Sequence, residues 1–258
     1  MNYKSKYMPK GLQDLNDKRN IKMVRHAIAN HPIHMALVGP FGTGKTTLAR
    51  LITQGMYCTD TDPQNRPCGK CKNCERIGEY WGIRQYWWPP EGGKSIVGGY
   101  ECIDCTSVTS EEIALLSKDQ RYYERRHIVV FEEFHRTTTP LQERLLTFTD
   151  MQRNSTVIIC YALENMSRVN AAIRQRFLPF NLKKLDDSHA EALIKRVAAS
   201  ESINIGDPSA ISMLATLCDG IPRIVLAALE MIKIEGGEIN EKNLVQIESR
   251  IKLMLSEE

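Results

Sequence analysis

One short segment has residue types and spacing that could bind phosphate. It follows the pattern G-x-x-x-x-G-K-T and consists of Gly39, Pro40, Phe41, Gly42, Thr43, Gly44, Lys45 and Thr46. An apolar run precedes it and a helical pattern begins at Thr47, which is the strand–loop–helix context that a phosphate-binding loop requires. Backbone N–H groups of such a loop surround the phosphates, and the helix N-terminus adds its positive dipole. The segment predicts that the chain binds a nucleoside triphosphate, with Lys45 on the β- and γ-phosphates and the Thr46 hydroxyl on Mg²⁺.

Two adjacent acids could complete a hydrolytic site. Glu132 and Glu133 directly follow the apolar, β-branched run 128–131. At the end of a strand, Glu132 is placed to hold the magnesium shell, and Glu133 to orient and deprotonate an attacking water. The alternative is that the two acids only mark where a strand meets solvent. The phosphate-binding loop upstream favours the hydrolytic interpretation.

Four of the eight cysteines have the spacing of a metal site. They form C-x9-C-x2-C-x2-C at Cys58, Cys68, Cys71 and Cys74. Zn²⁺ prefers four tetrahedral thiolates, and C-x2-C turns aim two sulfurs at one point. Four protein ligands leave no open position, so a structural zinc site is predicted, with redox chemistry or free thiols as the alternative.

The other four cysteines are not predicted to bind metal. Cys102 and Cys105 also read C-x2-C, but they lie in a predicted strand, where positions three apart point to opposite faces and cannot share a metal. Cys160 and Cys218 lie in apolar segments and are predicted to be core residues.

The remaining pattern predicts an α/β domain followed by helices. Apolar β-branched runs, including 156–161, alternate with helical segments, which indicates a parallel sheet covered on both faces. Thr139-Pro140 is predicted to start a helix, with Gln142 as capping-box partner. Helical patterns at 188–200, 208–217, 221–234 and 241–253 fit a small bundle. We therefore expect an ATPase domain at 1–182, with a zinc insertion at 57–78 and an aromatic insertion at 79–99, and a helical lid at 183–258.

Composition and charge set wider limits. The chain has 258 residues, of which 25% are charged and 42% hydrophobic, as expected of a globular protein. Its net charge of +3 is too small to argue for or against nucleic acid, so any basic surface must be local. No apolar run is long enough for a membrane span, and no signal peptide is recognised. We expect a cytoplasmic protein with reduced cysteines and no membrane partner.

Taken together, these motifs resemble the ATPase subunits of sliding-clamp loaders, such as the tau/gamma motor subunit of the bacterial replicase and replication factor C, which are AAA+ proteins. The opening 6–15 is similar to the family's KYRPKTFDDL, although Met8 replaces its Arg. The resemblance implies that Tyr7 and Pro9 border the adenine of ATP. The cysteine cluster follows the P-loop helix as in tau/gamma, and Glu132-Glu133-Phe134-His135 stands where that subunit has Asp-Glu-Val-His.

The resemblance also implies three roles near the γ-phosphate. The sensor 1 position falls on Glu164 or Asn165, and Asn165 is preferred because an amide can both donate to phosphate and hold water. Arg176 stands at the Ser-Arg-Cys position and would be the arginine finger for a neighbouring subunit. Arg223, in Gly220-Ile221-Pro222-Arg223, would be the sensor 2 residue of the lid.

The chain departs from the clamp-loader pattern in four further ways. Glu132 replaces the usual Asp, and its extra methylene predicts slow hydrolysis at an octahedral magnesium site. Both residues flanking Arg176 differ from the family motif. The insertion 79–99 carries Trp87 and Trp88, which either bind a partner or bases, or fold onto the cysteine cluster. The family's helical collar domain is not recognised, so assembly would use the ATPase and lid domains or a partner.

The sequence thus predicts ATP + H₂O → ADP + phosphate in a homo- or hetero-oligomer that acts on DNA, with ATP, Mg²⁺ and Zn²⁺ bound. A sliding clamp or another replication or recombination protein is the candidate partner. Two alternatives remain open. One is a collarless ring or filament that remodels DNA–protein complexes in transposition or defence. The other is a slow-hydrolysing, ATP-bound scaffold.

Overall fold

The computed structural model describes residues 2–30, 32–79, 81, 97–109, 126–151 and 154–256. These residues form two compact units. The sheet unit contains residues 9–39 and 45–182, and the helical unit contains 2–8, 40–44 and 183–256. The aromatic insertion predicted at 79–99, with Trp87 and Trp88, lies almost entirely outside the described residues.

The sheet unit is built on five parallel strands in the order β2-β3-β4-β1-β5. Their bounds are β1 Met35–Gly39, β2 Val97–Asp104, β3 Arg126–Glu132, β4 Ser155–Ala162 and β5 Leu178–Asn181. Every residue of β1 and β4 is buried, as expected for apolar central strands covered on both faces. The parallel sheet predicted from the alternating pattern is confirmed.

Helices cover this sheet. In the sheet unit they are α2 Lys18–Ala29, α3 Lys45–Tyr57, α4 Lys72–Glu79, α5 Thr139–Met151 and α6 Ala171–Arg176; α1 Tyr3–Lys6 belongs to the helical unit. Asp17 caps α2 by accepting hydrogen bonds from the backbone N–H groups of Arg19 and Asn20, both at 3.0 Å. Short 3₁₀ turns occur at Leu12–Asp14, Pro63–Asn65, Phe134–Arg136 and Leu163–Arg168.

The sheet separates two apolar cores. One core contains Leu37, Cys102 and Val130, together with buried side chains of α2 and α3. The other contains Phe131, Cys105 and buried side chains of α5. Cys102 and Cys105 therefore lie on opposite faces of the sheet, although β2 ends at Asp104 and Cys105 lies in the turn that follows it, not in the strand as predicted. The prediction that they cannot share a metal is confirmed.

The helical unit has a core of its own. It contains α7 Asp187–Glu201, α8 Ser209–Leu217, α9 Pro222–Ile234 and α10 Glu241–Ser256, whose buried faces pack together with Tyr3. These four helices match the predicted bundle, and Cys218 is buried within it as expected. A short parallel pair, β6 Asn204–Ile205 with β7 Glu238–Ile239, was not predicted, since two residues are too few to show a strand period.

Within the described ranges, none of the helices is both long enough and apolar enough to cross a membrane.

Candidate functional site

Three strand ends meet at one edge of the sheet. The parallel register places Gly39 at the end of β1 opposite Ala162 at the end of β4, and β3 beside β4 ends at Glu132. Because the carboxyl ends of parallel strands share an edge, residues that follow β1, β3 and β4 converge there. Sheet topology therefore brings together residues that are far apart in sequence.

Lys45 is a buried cation at this edge. Its side chain begins α3, is 8% exposed, and its Nζ donates to the carbonyl oxygen of Gly39 at 2.9 Å. A buried ammonium is costly unless polar groups surround it, and an anion is its most favourable neighbour. The position suits a lysine that receives phosphate oxygens, as predicted from the motif.

Thr46 and Glu132 are in direct contact. The hydroxyl of Thr46 donates to Oε2 of Glu132 at 2.9 Å, so the two predicted magnesium ligands lie side by side. The second oxygen, Oε1, is buried and has no hydrogen-bond partner among the described residues. Burial raises the pKa of Glu132, and the Thr46 hydrogen bond opposes that rise. A hydroxyl beside a carboxylate with one unsatisfied oxygen is a donor set that fits Mg²⁺.

Glu133 has an unusual backbone conformation. It adopts the left-handed conformation, with φ 52° and ψ 40°, which is unusual for a residue with a side chain. Its Oε2 lies 3.7 Å from Nε2 of His135, whose pKa is lowered by burial. Such strained conformations persist only where the surrounding structure enforces them, and they cluster at functional sites. The strand-end turn directs Glu132 and Glu133 differently, although they are adjacent in sequence.

The central residues of the phosphate-binding loop are in the helical unit. The hydroxyl of Thr43 donates to the carbonyl oxygen of Pro40 at 2.7 Å and closes the loop on itself. Gly42 has φ +73°, and a Cβ there would lie 2.6 Å from Cγ2 of Ile221 and 3.2 Å from Cβ of Arg223. Glycine is required at this position both by conformation and by space. Arg223, the predicted sensor 2 residue, thus lies directly against the loop that would hold phosphate.

The four predicted zinc ligands are gathered in one place. The sulfurs of Cys58, Cys68, Cys71 and Cys74 all lie within 4.8 Å of one another. A tetrahedral site with Zn–S bonds of about 2.3 Å needs sulfurs roughly 3.8 Å apart, so the cluster is close to that geometry without rearrangement. Four such sulfurs could hold Zn²⁺.

Hydrogen bonds shape this cluster. Backbone N–H groups of Cys68, Cys71 and Cys74 donate to the sulfurs of Cys58, Cys68 and Cys71, at 3.4, 3.3 and 3.5 Å. Burial raises the pKa of Cys71, but hydrogen bonds from Thr59 and Cys74 outweigh it and lower the pKa to about 6. Burial raises the pKa of Cys58 and Cys74.

Side chains also anchor the cluster to α3. Nε2 of Gln54 donates to the carbonyl oxygen of Cys74 at 2.6 Å, and Nδ2 of Asn73 donates to that of Tyr57 at 2.8 Å. Gln54 and Tyr57 lie on the helix that begins with Lys45 and Thr46. The cluster therefore supports the C-terminal end of the phosphate-loop helix.

The other residues predicted to bind or act on ATP each have their own local contacts. The hydroxyl of Tyr7 donates to Glu201 in the helical unit, while the carbonyl oxygen of Pro9 accepts from Nη2 of Arg50 in the sheet unit. Asn165 is half-buried in the 3₁₀ turn Leu163–Arg168, directly after β4. Arg176 ends α6, is 47% exposed at its side chain, and pairs with Asp150 at 3.3 Å.

The sheet unit has the sequence profile of a known ATPase family. Residues 35–184 match the "ATPase family associated with various cellular activities (AAA)". The match covers more than half of the chain. The chain belongs to the AAA family.

Two curated relatives and one solved structure extend the AAA match. The chain is 24% identical over 240 residues to Protein STICHEL-like 3 of Arabidopsis thaliana, covering 91% of this chain and 20% of that protein. It is 26% identical over 259 residues to DNA polymerase III subunit gamma of Buchnera aphidicola, covering 96% and 66%. The fold is similar to the Thermotoga maritima RuvB Holliday junction branch migration motor, with a TM-score of 0.62 and 18% identity, covering 93% of this chain and 71% of that one. This AAA chain thus spans only about a fifth of the length of STICHEL-like 3.

Gln142 is a site-supporting residue whose role the sequence did not reveal. It does not act as the predicted capping-box partner, and that prediction is wrong. Its Nε2 donates to the carbonyl oxygen of Arg168 at 2.9 Å, and its Oε1 accepts from the N–H of Asn170 at 2.7 Å. The amide is buried and ties α5 to the segment between Asn165 and Arg176. A long-range bond of this kind leaves no local sequence signal.

The close contact at Gly42 predicts that a methyl group there would destabilise the fold. A second glycine with the same backbone conformation separates this steric effect from backbone strain. Gly42 and Gly237 share φ +73°, but a Cβ at Gly237 meets only Cδ of Lys233, at 3.8 Å. Gly237→Ala should lower the free energy of unfolding by about 1 kcal/mol through backbone strain alone. Gly42→Ala should lower it by about 1–3 kcal/mol more, because the methyl group overpacks Ile221. Urea unfolding of both variants measures the difference, and equal losses would contradict the close packing of Gly42.

Burial of the Glu132 carboxylate predicts a pH-dependent effect. Its folded pKa is raised above the unfolded value, so the ionised carboxylate destabilises the fold above the folded pKa, and this penalty disappears below the unfolded pKa. Without nucleotide or Mg²⁺, Glu132→Gln should raise the melting temperature at neutral pH. The difference from wild type should shrink as pH falls through the raised pKa. A constant difference across that range would contradict the assigned cause.

Proposed function

We propose that this chain is an ATP-hydrolysing subunit of an oligomeric AAA+ assembly that acts on DNA in the manner of a clamp loader. The contact between Thr46 and Glu132 at 2.9 Å, next to the buried Lys45, is the observation that carries the ATPase part. The similarity to DNA polymerase III subunit gamma supports the DNA-linked part.

The residues divide the work of ATP + H₂O → ADP + phosphate. Residues Gly39 to Gly44 and Thr47 present the loop and helix N-terminus to the phosphates, and Lys45 places its charge on the β- and γ-phosphates. Thr46 and Glu132 would hold Mg²⁺, which when bound neutralises charge on the phosphate oxygens. Tyr7 and Pro9 would border the adenine.

Glu133 supplies the base. Its side chain is 36% exposed, so the carboxylate is accessible to water. It would orient the attacking water and take its proton, while the water oxygen forms the new P–O bond and the bond to ADP breaks. Asn165 would hold that water, and Arg223 would contact the γ-phosphate.

Arg176 is assigned to a neighbouring subunit's ATP. Its exposed guanidinium pairs with Asp150, which is itself 59% exposed, so the pair is solvent-screened and inexpensive to break. An arginine that can leave a weak partner is suited to stabilising charge at an interface. The exchange would couple subunit contact to hydrolysis.

Steady-state hydrolysis, alone, with primer–template DNA, and with DNA plus a sliding clamp, tests this function. We expect stimulation that needs both DNA and clamp. Glu133→Gln should lower kcat by at least about 100-fold and leave ATP binding intact, because only the base is lost. Glu143→Gln, at an exposed glutamate of α5, is the matched control and should leave kcat unchanged.

Each other outcome has a defined meaning. Stimulation by DNA alone would favour a remodelling ATPase over a clamp loader. Tight ATP binding without turnover would favour a nucleotide-bound scaffold. Glu132→Asp should raise kcat if the longer glutamate slows the wild type, and an unchanged or lower kcat would refute that explanation.

We also propose that the cysteine cluster binds one structural Zn²⁺. Purified protein should contain about one zinc per chain, and Cys71→Ser should lose most of it, because a closed site needs all four thiolates. Cys105→Ser, which removes a buried thiol elsewhere, should retain it. Metal analysis and melting temperature with and without chelator provide the measurement. Full zinc in Cys71→Ser would exclude the assigned ligand set.

A further inference from the structure

A basic surface on the sheet unit has no role in the site described above. Helix α2 buries Asn20, Val24, Ala27 and Ile28 on one face. At 100° per residue, Lys18, Lys22 and Arg25 fall within a stripe of about 60° on the opposite face. All three side chains are exposed.

This stripe lines an open depression. Lys18, Ile21, Lys22, Arg25 and Gln64 surround a volume of about 430 Å³. Arg25 and Gln64 also line a second depression of about 450 Å³ that reaches Arg66 and Lys70. We call the two together the basic groove.

The groove concentrates positive charge. Its lining contains five cationic side chains, Lys18, Lys22, Arg25, Arg66 and Lys70, and one acidic side chain, Asp60. The whole chain carries a net charge of only +3. The net charge of the groove lining is therefore more positive than that of the whole molecule. Composition alone could not show this local concentration of charge.

The carboxylates near the groove accept hydrogen bonds from backbone N–H groups. Asp17 accepts from the N–H groups at the start of α2, and Asp62 accepts from the N–H of Gln64 at 2.9 Å. Among the described residues, no acidic side chain forms an ion pair with Lys18, Lys22 or Arg25. Cys68 borders the second depression, where a zinc site with four thiolate ligands would carry net negative charge that Lys70 and Lys72 would partly offset. Within the basic groove, the stripe of Lys18, Lys22 and Arg25 is thus the part best suited to bind an anion.

We propose that the basic groove binds the phosphate backbone of a nucleic acid. From Lys18 to Arg25 the helix rises about 10 Å, which matches about three intervals between consecutive phosphates of one strand at an axial spacing of about 3.4 Å. Lysine and arginine make phosphate contacts without reading bases, so binding would be independent of sequence. This inference rests on the proposed action on DNA and assigns it a surface separate from the nucleotide-binding residues.

The test compares two triple variants of the full chain. The groove variant is Lys18→Ala/Lys22→Ala/Arg25→Ala. The control variant, Arg196→Ala/Lys242→Ala/Lys252→Ala, removes the same charge from exposed positions of the helical unit. Fluorescence anisotropy with a labelled DNA duplex is measured in ADP and Mg²⁺ over about 50 to 200 mM salt. Circular dichroism and melting temperature confirm that both variants fold.

We expect the groove variant to bind at least about tenfold more weakly and to reduce the slope of log K against log salt by about 2 to 3, since each lost phosphate contact removes about 0.9. The control variant should keep the wild-type slope. Equal slopes in both variants would overturn the proposal. Equally tight binding of polyglutamate would assign the groove to acidic proteins and also overturn it.

ATPase measurements separate this inference from the proposed function. If the groove variant keeps wild-type DNA affinity and DNA-stimulated hydrolysis, the groove assignment fails and the proposed function stands. If wild type neither binds DNA nor responds to it, both fail.

Discussion

The parallel register of β1, β3 and β4 is the constraint on which the site depends. It ends three strands at one edge and sets Glu132 within hydrogen-bond reach of Thr46, 86 residues away in sequence. Both central strands, β1 and β4, are buried throughout, so a shift of register would move every side chain into the opposite core and disrupt the packing on both faces. Packing of the apolar core therefore fixes the positions of the polar site residues.

The same edge concentrates groups that are costly for the fold. Lys45 is a buried cation, Glu132 has a buried oxygen without a hydrogen-bond partner in the described part of the chain, and Glu133 has a left-handed backbone. The unsatisfied oxygen and the left-handed backbone oppose folding of the unliganded protein. Each would be relieved or used by a bound magnesium nucleotide. Stability and function thus compete at these residues, which is common where a site is preorganised.

Two supports outside the strands fix elements that lead to this edge. The cysteine cluster is hydrogen-bonded to the end of α3 through Gln54 and Asn73. Gln142 ties α5 to the backbone at Arg168 and Asn170. Each support fixes an element on which a proposed functional residue lies, so a change in either would reach the site through the position of that element.

By itself, the sequence determined the local chemistry. The phosphate-loop motif, the acids after an apolar run, the cysteine spacing and the helical lid pattern are all encoded by residue type over short distances. The placement of Cys102 and Cys105 on opposite faces was predicted from the strand period, although Cys105 lies one residue beyond the end of β2.

Only the tertiary structure decided which distant groups meet. It placed Arg223 against Gly42, gave Gln142 a partner 28 residues away instead of a local cap, and gathered the cations of the basic groove. Such contacts depend on packing between elements, and local sequence carries no period or spacing that records them.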